Sequence, residues 1–282
     1  MTGATTPAGG AIIRTEGLVH VYGGETRALD GVDLSIARGE RVAIVGQNGS
    51  GKSTLVRHFN GLLRPTEGRV FVDGADAAGR RVADLAATVG LAFQDPDRQI
   101  FAGKVRTEVA FGPRNLGRAG AALDEAIDAA LIATGLDKDA LTNPYDLGYS
   151  RRKLLALASI LAMGTPVVVL DEPTTGQDAR GLERIRQIVA DLSAAGRTVI
   201  AVSHDMRFVA EAFERVVVMR DGRIVLDGAP ADVFAEAAWP TLASTFLEPP
   251  LPARIGARLG LGSTPTDEAL LAALGGSGSA SP

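Results

Sequence analysis

The stretch Gly46-Gln47-Asn48-Gly49-Ser50-Gly51-Lys52-Ser53-Thr54 satisfies G-x-x-x-x-G-K-[ST] at every fixed position, the spacing of a loop that cradles nucleotide phosphates. Its glycines let successive backbone N–H groups turn toward phosphate oxygens, and a helix opening near Gly51 adds the positive end of its dipole. Lys52 is the residue type that reaches β- and γ-phosphates. The Ser53 hydroxyl is of the kind that ligates Mg²⁺ alongside water and phosphate oxygens. The apolar run Val42-Ala43-Ile44-Val45 comes just before, so the loop sits between a strand and a helix, as the chemistry requires. A glycine-rich turn that matches by chance is the bland alternative.

A second group of reactive residues follows another apolar run. Val167-Val168-Val169-Leu170 reads as a buried parallel strand and ends in Asp171-Glu172. Carboxylates at the carboxyl end of such a strand lie where open α/β sheets bind ligands. Asp171 can hold Mg²⁺ through water, and Glu172 can polarise an attacking water as general base. Alone the pair is a solvated turn; beside a phosphate loop it reads as the second half of a nucleotide site. Two further strand ends carry polar groups. Gln94 follows the strand 89–93 on a loop, where it either touches Mg²⁺ or the attacking water or is an ordinary loop glutamine. His204 follows the strand 198–202, either as a donor to the γ-phosphate or as part of a helix-capping loop Ser203-His204-Asp205. Tyr22 closes an early strand and either stacks on adenine or packs on its own sheet.

The elements that must position these groups follow from periodicity. Alternating residues over 12–22 and 32–36, split by Gly23-Gly24, predict two antiparallel strands ahead of the phosphate loop. Residues 52–63 predict a helix with Leu55, Val56, Phe59 and Leu62 on one face, and His58 on it as a surface or packing residue. A short strand over 68–73 ends in Asp73-Gly74. Helices over 105–115 and 121–134 form an insert in an otherwise strand–helix chain, a further helix spans 150–162, and a helix over 180–195 precedes the strand 198–202. Residues 216–219 and 224–226, split by Asp221-Gly222, predict a hairpin.

The chain has 282 residues, 46% of them hydrophobic, enough for one large domain with an appendage or for two domains. Its net charge of -4 and scattered basic residues argue against nucleic acid as a partner. It has no cysteine, hence neither a disulfide framework nor a thiolate metal site. Residues 1–10 are small and polar, unlike a signal peptide, and no apolar run approaches the ~18 residues of a membrane span. Any link to a membrane is expected to run through a partner.

Taken in order, Gly46–Thr54, Gln94, 167–172, Gln177-Asp178 and His204 resemble the ATP-binding subunits of ABC transporters along residues 11–229. The resemblance implies an α/β P-loop NTPase core with an N-terminal antiparallel β-subdomain, a helical subdomain over about 95–163 and a small C-terminal helical extension over 230–274. It also implies ATP and Mg²⁺ as ligands, Tyr22 on adenine, Glu172 as catalytic base, His204 as γ-phosphate switch and Gln94 as sensor of the membrane partner. Gln177-Asp178 would be the loop that communicates across a dimer. One element departs: where the family shows Leu-Ser-Gly-Gly-Gln, this chain has Leu147-Gly148-Tyr149-Ser150-Arg151. The position that bonds the partner's γ-phosphate is then Gly148, without a hydroxyl, and Ser150 or Arg151 is left to supply the contact.

Phe93-Gln94-Asp95-Pro96-Asp97-Arg98-Gln99-Ile100-Phe101 and the tail beyond Leu251-Pro252 look like the ATPase subunits of energy-coupling factor (ECF) importers for vitamins and transition-metal ions. That resemblance implies a second ATPase subunit, identical or related, an integral membrane coupling subunit with Asp95 and Asp97 facing it, and a substrate-binding membrane subunit, with this chain peripheral at the cytoplasmic face of the cell membrane. In the tail, Ile255, Leu259, Leu261, Leu270 and Leu271 are apolar positions of two short helices needing cover, and 275–282 is expected to be disordered, as is 1–10. The rival readings are a soluble ABC-type ATPase driving assembly or repair, and a small-molecule kinase, which would need an acceptor pocket.

Overall fold

Strand Ala11–Tyr22 (β1) and strand Thr26–Ala37 (β2) bury Ile13, Leu18, Leu29, Val32 and Ile36 on a common face and pair antiparallel, with Tyr22 opposite Thr26 across the turn. Strand Arg41–Gly46 (β3) is buried from Val42 onward, and Lys52–Phe59 (α1) grows from the loop behind it. Next come Glu67–Val72 (β4) and Ala75–Asp76 (β5), which complete a four-stranded sheet in the order β2-β1-β4-β5. The computed structural model describes residues 10–276. The ends 1–9 and 277–282, expected to be disordered, lie outside the described residues, while Gly275 and Gly276 close the last helix.

The chain continues through Val82–Ala86 (α2), Val89–Ala92 (β6), Val105–Asn115 (α3), Gly120–Thr134 (α4), Tyr149–Met163 (α5), Val167–Asp171 (β7), Ala179–Ala194 (α6), Thr198–Val202 (β8), Met206–Ala212 (α7), Arg215–Arg220 (β9) and Arg223–Gly228 (β10). Its six-stranded sheet has the order β10-β9-β3-β8-β7-β6. β9, β3, β8, β7 and β6 are mutually parallel, and only β10 runs antiparallel. Continuous burial of β3, β7, β8 and β6 is what a sheet covered on both faces demands.

Two apolar cores lie on the two faces of that sheet. One holds α1 (Leu55, Val56, Phe59) between the two sheets, against Ile13, Leu29, Val42, Ile44 and Val202. The other gathers Val105 and Val109 of α3, Ile127 and Leu131 of α4, Leu155 and Ala158 of α5, and Ile185, Ile188 and Val189 of α6. α1 ends at Phe59, four residues earlier than its periodicity predicts. Gly61 turns left-handed there, at φ 75°, and Leu62 swings outward, 43% exposed instead of buried with Leu55 and Phe59.

Beyond β10 the extension comprises Pro230–Val233 (α8), Trp239–Ala243 (α9), Leu251–Arg258 (α10) and Asp267–Gly276 (α11). It is tied to the core by Arg207–Asp267 at 2.6 Å, between α7 and α11. Leu259 and Leu271 stay exposed. Replacing fully buried Phe59 with Ala is expected to cost about 3–5 kcal/mol, read as a lower midpoint of urea unfolding at an unchanged slope.

Candidate functional site

The loop between β3 and α1 is shaped by close backbone approach. Gly46, at φ 150°, lies against the Met219 carbonyl of β9, and Gly51, at φ 100°, against the Ala28 carbonyl of β2; a Cβ at either would collide. Gly222 extends the same seat, accepting from Asp30 N–H at 3.0 Å and donating to Ser50 O at 3.1 Å. The Lys52 ammonium donates to Gly46 O at 2.7 Å and Gln47 O at 2.8 Å, curled over the loop it serves. Burial pushes its pKa down, against the opposing pull of Glu172 and Asp171. Asn48 and Gly49 are exposed at the rim, and the Ser50 hydroxyl is buried.

β3, β8 and β7 lie side by side, so their carboxyl ends meet. Ile44 and Asp171 both pair with Val202. Ser53 Oγ donates to Asp171 Oδ1 at 3.2 Å, while Asp171 Oδ2 is buried with no hydrogen-bond partner. Desolvation raises the Asp171 pKa, which the Ser53 hydrogen bond offsets only in part. A serine hydroxyl beside a carboxylate with one uncommitted buried oxygen is a hard-oxygen donor set, and these residues fit Mg²⁺.

Glu172 adopts φ 53°, in the left-handed region, a conformation that costs a residue bearing a Cβ roughly 1–2 kcal/mol. Its Oε2 accepts from His204 Nδ1 at 2.6 Å. Asp205 caps α7 by accepting from Phe208 N–H at 3.0 Å, so capping falls to Asp205 and the His204 ring is left to Glu172. Tyr22 is 39% exposed; its hydroxyl lies 3.3 Å from Thr54 Oγ1 and its ring edge-on to His20. His58 is buried, bonded to Thr54 O at 2.8 Å and to His20 at 3.2 Å, a packing residue.

The remaining expected site residues do not bond to this cluster. Gln94 is exposed just past β6, and no hydrogen bond joins its amide to Ser53 or Asp171. Asp178 accepts from Gly181 N–H at 2.7 Å as the N-cap of α6. Gly148 is the N-cap of α5 and gives no side-chain bond. Both side chains expected to replace its missing hydroxyl are engaged within the chain: Ser150 Oγ donates to Gln177 Oε1 at 2.7 Å, and Arg151 pairs with Asp139. Asp97, expected to face a partner, lies 2.9 Å from Arg152.

Three contributors escape sequence reading. Gln99 bonds Phe93 N–H at 3.2 Å and Ala156 O at 2.8 Å, pinning the loop after β6 to α5. Glu108 is buried and accepts from Phe101 and Ala102 N–H. Lys153 is buried on α5 behind Glu172. The only signal for Lys153 was a charge within the helical face that carries Leu154 and Leu157.

The family model described as ABC transporter matches residues 29–175. The energy-coupling factor transporter ATP-binding protein EcfA of Methanocaldococcus jannaschii is 40% identical over 227 residues, covering 80% of this chain and 81% of that protein. Two longer ABC transporter ATP-binding proteins, from Caldanaerobacter subterraneus and Methanosarcina acetivorans, are each 42% identical, but the chain spans only 44% and 39% of their lengths. Among solved structures, cbiO1 of Clostridium perfringens, part of the ABC transporter complex cbiONQ, superposes with a TM-score of 0.74 at 35% identity, covering 89% of this chain and 99% of that one.

Because the ionised Asp171 carboxylate is desolvated and its pKa raised, it costs stability at pH 7, a cost that disappears as pH falls through that raised value. Asp171→Asn is therefore expected to raise the ligand-free melting temperature at pH 7 and to abolish the further rise on adding Mg²⁺ with ATP, both read by differential scanning fluorimetry.

Proposed function

The chain belongs to the ABC transporter ATP-binding proteins, in their energy-coupling factor branch, and from that premise we propose that it binds and hydrolyses ATP to energise an ECF-type importer of a vitamin or transition-metal ion. The observation that carries this reading is the meeting of four strand ends: Lys52 and Ser53 after β3, Asp171 and Glu172 at β7, His204 after β8 and Gln94 after β6. A kinase would need an acceptor pocket there; instead a carboxylate and an imidazole face each other, ready to orient water.

The chemistry asked of the chain is positioning and charge stabilisation. Backbone N–H groups at the start of α1 and the Lys52 ammonium receive the β- and γ-phosphate oxygens, the ammonium leaving the Gly46 and Gln47 carbonyls to do so. Ser53 and Asp171 would hold Mg²⁺, which would neutralise charge on the phosphate oxygens. Glu172 accepts the proton of the attacking water. His204 uses its ring N–H in turn, holding that carboxylate in the ligand-free chain and donating to the γ-phosphate once ATP is seated. Tyr22 offers its exposed ring to adenine.

The ATP is closed in by a second ATPase subunit, identical or related, with the Gly148 end of α5 presenting helix N–H groups across the interface. Support for pairing comes from the ATP-binding cassette MJ0796, described as a dimer bound to ADP and Pi; it matches this chain with a TM-score of 0.70 at 26% identity, covering 77% and 98% of the two chains. No described helix is long and apolar enough to cross a membrane, so attachment to the cytoplasmic face runs through an integral coupling subunit, with a further membrane subunit binding the solute. Phe101 and Phe111, 61% and 50% exposed with ring centroids 4.8 Å apart, lie beyond the Gln94 loop and suit an apolar surface of that coupling subunit.

Glu172→Gln is expected to keep ATP affinity and lose about 100-fold or more of the turnover; near-parental hydrolysis would falsify Glu172 as base. Phe101→Asp combined with Phe111→Asp is expected to leave ATP binding intact while integral membrane proteins no longer co-purify with the tagged chain; undiminished co-purification removes this face as the docking surface.

A further inference from the structure

Three side chains from the start of α5 grip the segment that carries Glu172. The Tyr149 ring lies so close to Gly176 that a Cβ there would come within 2.7 Å of it. Ser150 and Gln177 exchange two hydrogen bonds, from Ser150 Oγ at 2.7 Å and back from Gln177 Nε2 to Ser150 O at 3.2 Å. Lys153, 7% exposed, sends its ammonium to the Glu172 carbonyl and, at 3.0 Å, to the Thr175 carbonyl. These carbonyls lie in the loop between β7 and α6, where no ladder or helix supplies them with donors.

Glu172 is thereby anchored at both ends of its own residue. Its N–H donates to Val202 O of β8 at 2.8 Å, and its carbonyl accepts from Lys153. Between the two anchors the backbone is held at φ 53°. A strained conformation persists only where its surroundings over-determine it, and the direction of the Glu172 side chain follows from that backbone. Resting on the reading of Glu172 as the base, we propose that Lys153 is a positioning residue for ATP hydrolysis: its ammonium fixes the Glu172 carbonyl and so aims the Glu172 carboxylate at its working place beside His204. Lys153 does not touch the reacting atoms. It acts through the backbone of the residue that does.

The residue type fits the task. Both partners are acceptors only, and an ammonium is a donor only. Burial holds its pKa down at about 8, opposed by the negative charges of Glu172 and Asp171, so it is mainly charged at neutral pH. Lys153, Phe93, Pro173 and Gln177 also border a cavity of about 20 Å³, room for a single water and for some of the extra bulk of an arginine head group.

The test compares Lys153→Met, Lys153→Gln and Lys153→Arg in the full chain, within whatever assembly turns over ATP, with Glu172→Gln as control. Nucleotide affinity is read with a trinitrophenyl-ATP analogue, folding by melting temperature, and turnover as separate kcat and KM. The expected result for Lys153→Met is a KM and nucleotide affinity within about twofold of the parent and a kcat lower by roughly ten- to hundredfold. Lys153→Arg should regain most of that kcat, and Lys153→Gln, which donates without charge, should fall between. If the methionine variant does not fold, a higher kcat for arginine than for glutamine at equal KM supports the assignment. It is overturned if the neutral variants that fold keep parental kcat, if arginine does no better than they do, or if the loss lies in KM alone. Parental turnover in the folded Lys153 variants with an inactive Glu172→Gln rejects Lys153 only; parental turnover in Glu172→Gln rejects the base assignment and this role together.

Discussion

The parallel ladder joining β3, β8, β7 and β6 decides where each candidate site residue stands. Its hydrogen bonds hold Ile44 and Asp171 opposite the same residue, Val202, and Ala92 opposite Leu170. Residues 46, 94, 172 and 204, scattered through the chain, are thus delivered to one edge by backbone register alone. A slip of one residue in β7 would turn Asp171 away from Ser53. Burial on both faces of the sheet guards against that slip, since every strand residue in β7 and β8 is covered.

At that edge the chain accepts local costs that the two cores must offset. Lys52, Lys153, Asp171 and Glu172 are all buried, and Glu172 adds a strained backbone. Desolvation is the largest influence on both lysines and on Asp171. Opposite charges among the four groups recover part of the cost, and one Asp171 oxygen stays uncommitted. Stability is concentrated instead around Phe59 between the sheets and along α5 against the insert.

Much of this is legible in the sequence. The phosphate loop, the acidic strand end, the two-sheet plan and the helical insert all follow from patterns within short windows, because strand burial and loop chemistry leave local traces. Element ends followed less well: α1 stops at Phe59 because of the left-handed turn at Gly61, which its apolar spacing does not register. The partners of Ser150, Arg151 and Asp97 were not legible either. Each finds its mate through folding, in Gln177, Asp139 and Arg152, and no spacing rule joins residues from different elements. Lys153 escaped for the same reason, since a lysine in a helix reads as solvated until the loop it reaches is in place.

The seat beneath the phosphate loop has a consequence for engineering. Gly46 and Gly51 rest on carbonyls from β9 and β2, strands far apart in sequence, and Gly222 stitches the two together. Moving the nine-residue motif into a foreign scaffold would carry over the sequence without its mould. The smallest transplantable cassette is the loop together with the stretch around Ala28 and the β9–β10 turn, three segments whose glycines and carbonyls were shaped to one another.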